Sequence, residues 1–364
     1  MKKLRIISLC LSLLLLLTAC GAQTEPAPRE DSEPLRTVTD ASGRQVELPE
    51  DVTSVVCVGV GALRYTTYLQ AQDLVVGVEQ GEQTATLAKP FSYFNRDRFA
   101  ALPVTGDNGT TYDEDILRLA PDVIVAYLDA DTADGLYSRT GIPVVTIPLN
   151  EGMFDEAALT TLSLLGEVYH REDRAQELAD YLLAAQADLD SRTRDVPEAE
   201  KPTVYVAGVS YKGAHGFEGT EAGYPPLAAI HARNLADRTG QSGPFSIDTE
   251  QVLQWDPDVI FLDWNGMGLV QENYAVNPGF YNSLSAVEAG RLYAQISFRS
   301  SATNAELALA DAYYAGTVLY PEQFAGIDPA EKFNEIFRVM LGVEDAYSQY
   351  AAQGYTFTTL KLGE

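Results

Sequence analysis

The stretch LAPDVIVAYLDA at residues 119–130 has a near copy in WDPDVIFLDWNG at residues 255–266, and this pair decides the fold. The shared Pro-Asp-Val-Ile is followed in both places by apolar residues. The match also extends backwards without gaps, from DEDIL at 113–117 to TEQVL at 249–253. Chance repetition of a common helix-to-strand phrase is the alternative, but the length of the match favours a structural unit that occurs twice.

The repeated unit has the pattern of a short helix followed by a buried strand. Asp113 and Thr249 carry side chains that accept hydrogen bonds from the first turn of a helix, so we predict them as N-caps. Pro121 and Pro257 end the helix, because proline lacks an N–H and restricts the residue before it. The runs that follow are apolar on both faces, which is typical of a parallel sheet covered on both sides: residues 123–126 and 259–262.

A second pair of apolar runs, VVCVG at 55–59 and VYVAG at 204–208, recurs in the same order along the chain. The 364 residues are enough for two domains of ordinary size. Because both the strands and the helix-to-strand units are duplicated, the sequence predicts an α/β protein with two Rossmann-like lobes.

Leucines and alanines spaced three and four residues apart between Ala175 and Leu189 predict a helix with one apolar face. A helix from about Glu172 to Asp195 has a length of roughly 35 Å at 1.5 Å per residue, enough to join two lobes. We therefore predict an N-terminal lobe, a bridging helical region, and a C-terminal lobe with a terminal helix at residues 36–153, 154–197 and 198–364.

The N-terminus has the pattern of an export signal. Three positive residues at 2–5 precede an apolar run at 6–17, which is too short for a stable membrane span. The box LTAC at 17–20 resembles a bacterial lipoprotein signal, and this resemblance implies cleavage before Cys20 and lipid on its sulfur. An ordinary secretory signal is the alternative. Residues 21–35 predict a flexible tether, so we expect an extracytoplasmic protein that is lipid-anchored to the cell membrane.

The mature chain is strongly acidic. Removing the signal takes away three of the 25 Lys and Arg residues, which leaves 22 against 52 Asp and Glu, a net charge of −30. Such a surface argues against nucleic acid as a partner. Of the cysteines only Cys20 and Cys57 remain, so lipidation of Cys20 leaves no internal disulfide. We predict Cys57 to be a small buried apolar residue.

Three longer stretches identify a family. RTVTDASGRQVELPEDVTSVVCVGVGALRYTTYLQAQDLVVGVE at 36–79, LPVTGDNGTTYDEDILRLAPDVIVA at 102–126 and LYPEQFAGIDPAEKFNEIFRVMLG at 319–342 resemble the iron-siderophore and cobalamin class of ABC-importer substrate-binding proteins. The resemblance implies two Rossmann-like lobes joined by a rigid helix, with the ligand in the cleft between them. It implies a chelated metal as ligand (a ferric siderophore, haem or a cobalamin-like molecule) and an ABC permease in the membrane as partner.

One position departs from the family pattern. The resemblance implies a Glu on the first helix of each lobe, where the two carboxylates dock onto arginines of the permease. In the N-terminal lobe this position falls on Arg64. We therefore expect Arg64 to face an anionic ligand, and another surface carboxylate to serve in docking.

Ligands of open α/β sheets bind beyond the carboxyl ends of the strands, and the loops predicted there contain many arginines and aromatic residues. Arginine presents a planar fork to carboxylates and catecholates, and Tyr and Trp present flat surface to a ring-bearing ligand. The alternative is that these arginines pair with surface carboxylates and that the aromatics belong to the core. The candidate ligand-binding residues are Arg64, Tyr93, Arg96, Tyr211, His215, Tyr224, Trp264 and Arg299.

Other functions have less support. His215 with Glu218 and Glu221 suggests a bare metal ion site, but the chain has three histidines, and a zinc binder is expected to gather several. The stretch GVGALR lacks the third glycine of the dinucleotide fingerprint, and neither a Walker A motif nor a Gly-x-Ser-x-Gly elbow occurs. We therefore expect no enzyme activity and no cofactor. The remaining alternative is a non-transport surface lipoprotein that binds a polysaccharide or another large ligand.

Overall fold

The computed structural model describes residues 34–150 and 152–363. Cys20, the predicted signal peptide and the tether up to residue 33 lie outside the described residues. Arg36–Glu364 forms one compact unit. Within the described ranges, no helix has both the length and the apolar composition that a membrane crossing requires.

The N-terminal lobe is built on parallel strands. Its strands are β1 (Leu35–Thr39), β2 (Gln45–Pro49), β3 (Val55–Val58), β4 (Val75–Glu79), β5 (Val104–Asp107), β6 (Thr110–Thr111), β7 (Val123–Ala126) and β8 (Val144–Thr146). Six of them form a sheet in the order β6-β5-β4-β3-β7-β8, in which only β6 runs antiparallel to its neighbour. The helices are α1 (Ala62–Tyr68), α2 (Pro90–Tyr93), α3 (Arg96–Phe99), α4 (Asp113–Leu119) and α5 (Ala130–Thr140).

Two helices connect this lobe to the next: α6 (Glu156–Tyr169) and α7 (Glu172–Thr193). The 22 residues of α7 correspond to roughly 33 Å, close to the predicted length. Near its start, Arg174 donates to the carbonyl of Tyr68 in the N-terminal lobe at 3.1 Å. Near its end, Asp190 accepts from His231 of the C-terminal lobe at 2.9 Å. The long helix therefore contacts both lobes.

The C-terminal lobe repeats the architecture. Its strands are β9 (Thr203–Ala207), β10 (Gly219–Ala222), β11 (Arg233–Asn234), β12 (Gly243–Ser246), β13 (Val259–Asp263), β14 (Leu292–Gln295) and β15 (Thr358–Thr359). Five form a sheet in the order β11-β9-β13-β14-β15, parallel except for β15, while β10 and β12 pair separately. The helices are α8 (Pro225–Ala228), α9 (Thr249–Trp255), α10 (Met267–Val276), α11 (Pro278–Asn282), α12 (Ser285–Glu288), α13 (Ala305–Leu319), α14 (Pro329–Leu341) and α15 (Ala346–Ala352). The predicted fold class, two Rossmann-like α/β lobes joined by a long helix, is confirmed.

The duplicated sequence unit forms the same structure twice, with a correction at the N-caps. Both helices end two residues before their proline, and the next residue, Ala120 or Asp256, is left-handed with φ of 44° or 42°. Both following strands are fully buried. The N-caps lie one residue earlier than predicted: Asp248 accepts from the N–H of Glu250, and Tyr112 makes no side-chain cap. A cap side chain must lie outside the helix, whereas Asp113 and Thr249 already have helical geometry.

Candidate functional site

A cavity of about 610 Å³ lies at the carboxyl ends of the N-terminal parallel strands. It is bordered by Gly59 after β3 and Tyr127 after β7, where the strand order of the sheet reverses. Gly59 has φ of 73°, and an added Cβ would lie 3.3 Å from the carbonyl oxygen of Tyr127, so a side chain there is disfavoured. Ser301 of the C-terminal lobe also lines the cavity. This is the position at which open α/β sheets bind ligands.

Arg64 on α1 lines the cavity and is 1% exposed. Its Nε donates to Oδ1 of Asn304 at 3.1 Å, and its Nη2 donates to the carbonyls of Ser300 and Ser301 at 2.9 and 2.7 Å. The guanidinium lies 5.0 Å from the ring centroid of Phe91. Its Nη1 is buried and has no hydrogen-bond partner among the described residues. Arg64 is therefore a buried cation with one unused donor.

The positive charge of Arg64 is not neutralised by an ion pair within the described part of the chain. Its hydrogen-bond partners are two carbonyl oxygens and one amide oxygen, all neutral. The nearby carboxyl of Glu306 is fully buried and bonded by the hydroxyl of Tyr68. Burial raises the pKa of Glu306, although the Tyr68 hydrogen bond and the charge of Arg64 oppose this. A buried cation without a bonded carboxylate favours an anionic group in the adjoining cavity.

Buried polar contacts join the two lobes. Asn304 is fully buried, accepts from Arg64, and donates to the carbonyl of Ala88 at 3.1 Å. Tyr350 donates its hydroxyl hydrogen to the carbonyl of Leu87 at 2.7 Å. These bonds connect residues that are more than 200 positions apart, so the lobes are held together by side chains as well as by α7.

A carboxylate at the end of β4 organises two loops of the cavity. Glu79 accepts the N–H of Gly109 at 2.6 Å and also that of Gly59. Burial raises the pKa of Glu79, and the two N–H groups oppose this effect. Glu79 therefore fixes the loops that follow β3 and β5.

Three carboxylates, Glu79, Glu82 and Asp107, line one part of the cavity, and we call them the acidic wall. Glu82 is 9% exposed, and its Oε1 accepts from Nζ of Lys89 at 3.0 Å. Its Oε2 is buried and has no partner among the described residues. Arg64 and Glu82 thus both line the cavity, and each has one buried side-chain atom without a partner among the described residues, a donor on Arg64 and an acceptor on Glu82.

A second pocket of about 350 Å³ lies in the C-terminal lobe, again beyond the carboxyl ends of the strands. Tyr211 and Arg299, both predicted site residues, line it. The ring of Tyr211 stacks on His215 with centroids 4.0 Å apart and an interplanar angle of 7°. Arg299 directly precedes Ser300, whose carbonyl accepts a hydrogen bond from Arg64. Three of the predicted arginine and tyrosine positions therefore line these two pockets: Arg64 the first, and Tyr211 and Arg299 the second.

Arg299 is already paired. Its guanidinium makes two hydrogen bonds to the carboxylate of Glu221, whose side chain is 3% exposed. Asp263 at the end of β13 is also buried and accepts from the N–H of Asn265 at 2.8 Å. Burial raises the pKa of Asp263 to about 7, against the hydrogen bonds from Ser297 and Asn265. Two residues that line the second pocket, Arg299 and Asn265, are thus bonded to buried carboxylates.

The remaining predicted residues lie away from the two pockets. Tyr224 is 1% exposed and bonds to Gln295, so it belongs to the core. Arg96 is exposed and stacks on the ring of Tyr93 at 4.7 Å, and neither residue lines the two pockets described above. Trp264 donates to the carbonyl of Thr356 at 3.2 Å and borders a pocket formed with the C-terminal residues.

Several residues that line the cavity were not predicted from the sequence. Glu79 and Asp107 are the last residues of β4 and β5, so the strand-end rule was sufficient to select them. Glu82 and Lys89 carry no comparable signal. For a bare metal ion, no group of three or more His, Cys, Asp or Glu with suitable geometry occurs in residues 34–150 or 152–363.

This chain is similar to a molybdate-binding protein in both sequence and structure. Molybdate-binding protein MolA of Haemophilus influenzae is 24% identical over 339 residues, which cover 83% of this chain and 90% of that protein. Its molybdate-bound structure has a TM-score of 0.64 at 20% identity, over 85% of this chain and 98% of that one.

Two further solved structures have the same fold. A periplasmic solute-binding protein of Veillonella parvula gives a TM-score of 0.69 at 16% identity, over 87% of this chain and 96% of that one. CeuE of Helicobacter pylori in a Ni–His complex gives 0.59 at 16% identity, over 87% and 98%.

A family model described as periplasmic binding protein matches residues 65–295. This match spans more than half of the 364 residues and includes β4 to β8, the long helix and the C-terminal strands from β9 to β14. The class inferred from the sequence is confirmed: the chain belongs to the periplasmic binding protein family.

Proposed function

We propose that this protein captures a chelated metal ion in the cleft between its lobes and delivers it to an ABC permease. Proteins of this family are solute-binding components of ABC transporters rather than enzymes, and they act outside the cytoplasm. The relative solved as a Ni–His complex supports a metal complex as cargo. The main support for this class of ligand comes from the residues that line the cavity.

The observation that carries the proposal is the state of Arg64. It is a buried cation with no bonded carboxylate, its Nη1 lacks a partner, and it adjoins a cavity of about 610 Å³. Leaving a charged donor buried and unsatisfied costs several kcal/mol. Anionic oxygens of a metal chelate offset this cost when they accept from the guanidinium. Arg64 is therefore the proposed principal contact to the ligand.

Contacts from the C-terminal lobe complete the proposed site. Tyr211 offers a flat ring that is held in place by His215, and Arg299 and Lys212 add positive charge beside it. Because Arg299 is already paired with Glu221, we expect it to contribute less to ligand binding than Arg64 does. Tyr93, Arg96, Tyr224 and Trp264 are not included in the proposed site.

A free oxyanion is the second candidate ligand, since the 24% identical relative is named as molybdate-binding. Arg64 suits molybdate as well as a chelate, because both present anionic oxygens to a guanidinium. The two candidates differ in whether the ligand also carries hydrogen-bond donors.

We propose that Cys20 carries lipid and anchors the protein to the membrane, and that residues 36–153, 154–197 and 198–364 are its two lobes and the bridge. The long helix and the lobes on either side of it support this division.

Isothermal titration with ferric acetohydroxamate, haem and molybdate tests the proposal, preceded by a thermal-shift screen with the same ligands. A ligand at 100 times its Kd raises stability by ~2.7 kcal/mol. Arg64→Gln should weaken binding at least tenfold, since a hydrogen bond to a charged group contributes ~1.5–3 kcal/mol. Arg238→Gln, at an exposed arginine, is the matched control.

Arg64 also joins the lobes, so the melting temperature of each empty variant must be measured. Arg64→Lys keeps the charge and is expected to bind with intermediate affinity. Wild-type affinity in Arg64→Gln, or no stabilisation of the wild-type protein by any of the three ligands, contradicts the proposal.

A further inference from the structure

The acidic wall restricts the chemistry of the ligand. Arg64 and Lys89 contribute two positive charges to the cavity, and Glu79, Glu82 and Asp107 contribute three negative ones, which leaves one net negative charge. A free dianion in this cavity meets Arg64 but also like charges on the acidic wall. Like charges at close range disfavour binding.

The acceptors of the acidic wall are not all in use. Glu79 is occupied by the N–H groups of two loops, and Oε1 of Glu82 is occupied by Lys89. Oε2 of Glu82 is buried, lacks a donor, and belongs to a side chain that is 9% exposed and lines the cavity. Buried polar atoms are nearly always hydrogen-bonded, so Oε2 of Glu82 requires a donor that the described residues do not supply.

We infer that the ligand is two-sided: it presents anionic oxygens to Arg64 and N–H or O–H donors to Glu82. This inference rests on the proposed function and adds to it the requirement for donors. A metal chelate with amide, amine or coordinated-water hydrogens meets both requirements, whereas molybdate supplies acceptors alone. The chelate is therefore the preferred ligand, even though the relative at 24% identity is molybdate-binding.

A matched pair of iron chelates isolates the donor requirement. Ferric acetohydroxamate carries N–H groups, and ferric N-methylacetohydroxamate replaces each of them with N–CH₃ while keeping the same oxygens around the metal. Titrations of the mature protein with both complexes, in excess chelator, and with molybdate compare the three ligands directly. We expect the N–H chelate to bind at least tenfold more tightly than the other two.

Glu82→Gln tests the residue. Glutamine keeps an oxygen for Lys89 but replaces the unused acceptor with a donor, so it should weaken the N–H chelate by about tenfold and leave the N-methyl chelate unchanged. Glu114→Gln makes the same chemical change at an exposed position of the same lobe and should have no effect on either. Melting temperatures of the empty variants report any change in folding.

The outcomes separate this inference from the proposed function. Equal affinity for the two chelates, tighter binding of molybdate than of either, or wild-type selectivity in Glu82→Gln overturns the donor requirement and leaves an anion site at Arg64. Failure of all three ligands to bind the wild-type protein refutes both.

Discussion

Asp263→Asn is expected to stabilise the protein at neutral pH and to leave its stability nearly unchanged in acid. Asp263 is 4% exposed, at the end of β13. Desolvation raises the pKa of its carboxyl from 3.8 to about 7, with a further contribution from the charge of Glu221. Asparagine keeps the oxygen that accepts from Asn265 and Ser297 and removes the buried negative charge.

The magnitude follows from this pKa difference. The shift is about three pKa units, and each unit corresponds to ~1.4 kcal/mol, so the largest effect is about 4 kcal/mol. Because the folded carboxyl holds its proton more tightly than the unfolded one, the free energy of unfolding falls as pH rises from about 4 to about 7. The free energy of unfolding of Asp263→Asn should therefore match that of the wild type below about pH 4 and exceed it by the full amount above about pH 7.

Urea denaturation of both proteins at about pH 4 and about pH 8 measures the effect. Other groups around Asp263 titrate or carry charge, namely Glu221, Arg299, Asp311 and Tyr224, but they are present in both proteins. Asp97→Asn, at an exposed aspartate, controls for the change in net charge. If the difference between wild type and Asp263→Asn is the same at both pH values, the buried carboxyl does not have the raised pKa on which the reasoning depends.

Two further predictions concern motion and attachment. Because α7 and the buried contacts of Arg64, Asn304 and Tyr350 hold the lobes together, the radius of gyration from small-angle scattering should change little on ligand binding, and a large decrease contradicts the rigid connection. Cys20→Ala should leave the protein unprocessed or released from the membrane, as measured by fractionation and mass spectrometry, and normal processing with tight membrane association contradicts the lipid anchor.

The fold was predictable because its signals are local. The strands at 123–126 and 259–262 are continuous apolar runs between a proline and a polar loop, and these features act within a dozen residues. The helix caps were wrong by one residue, because a residue type that favours the cap position does not by itself fix where the helix begins. Sequence patterns place elements more accurately than their ends.

The site was less predictable because it depends on contacts between distant residues. Arg64 was selected, but the carbonyls of Ser300 and Ser301 that hold it lie 236 and 237 positions away. The ring of Tyr224 is core, although its position after β10 resembles that of an exposed loop aromatic. Composition alone does not distinguish a tyrosine that lines a cleft from one that packs beneath it.

The short strands at the sheet margins have a consequence for many copies of this protein in close proximity. Two-residue strands pair antiparallel at one margin of each of the two larger sheets, β6 with β5 and β15 with β14, and β11 at another margin is equally short. At β8, the N–H of Ala41 donates to the carbonyl of Thr146 at 3.1 Å and covers that margin. Long unpaired margins are the templates on which neighbouring chains add strands. The two larger sheets therefore present little unpaired strand on which crowded copies could exchange strands or build fibrils.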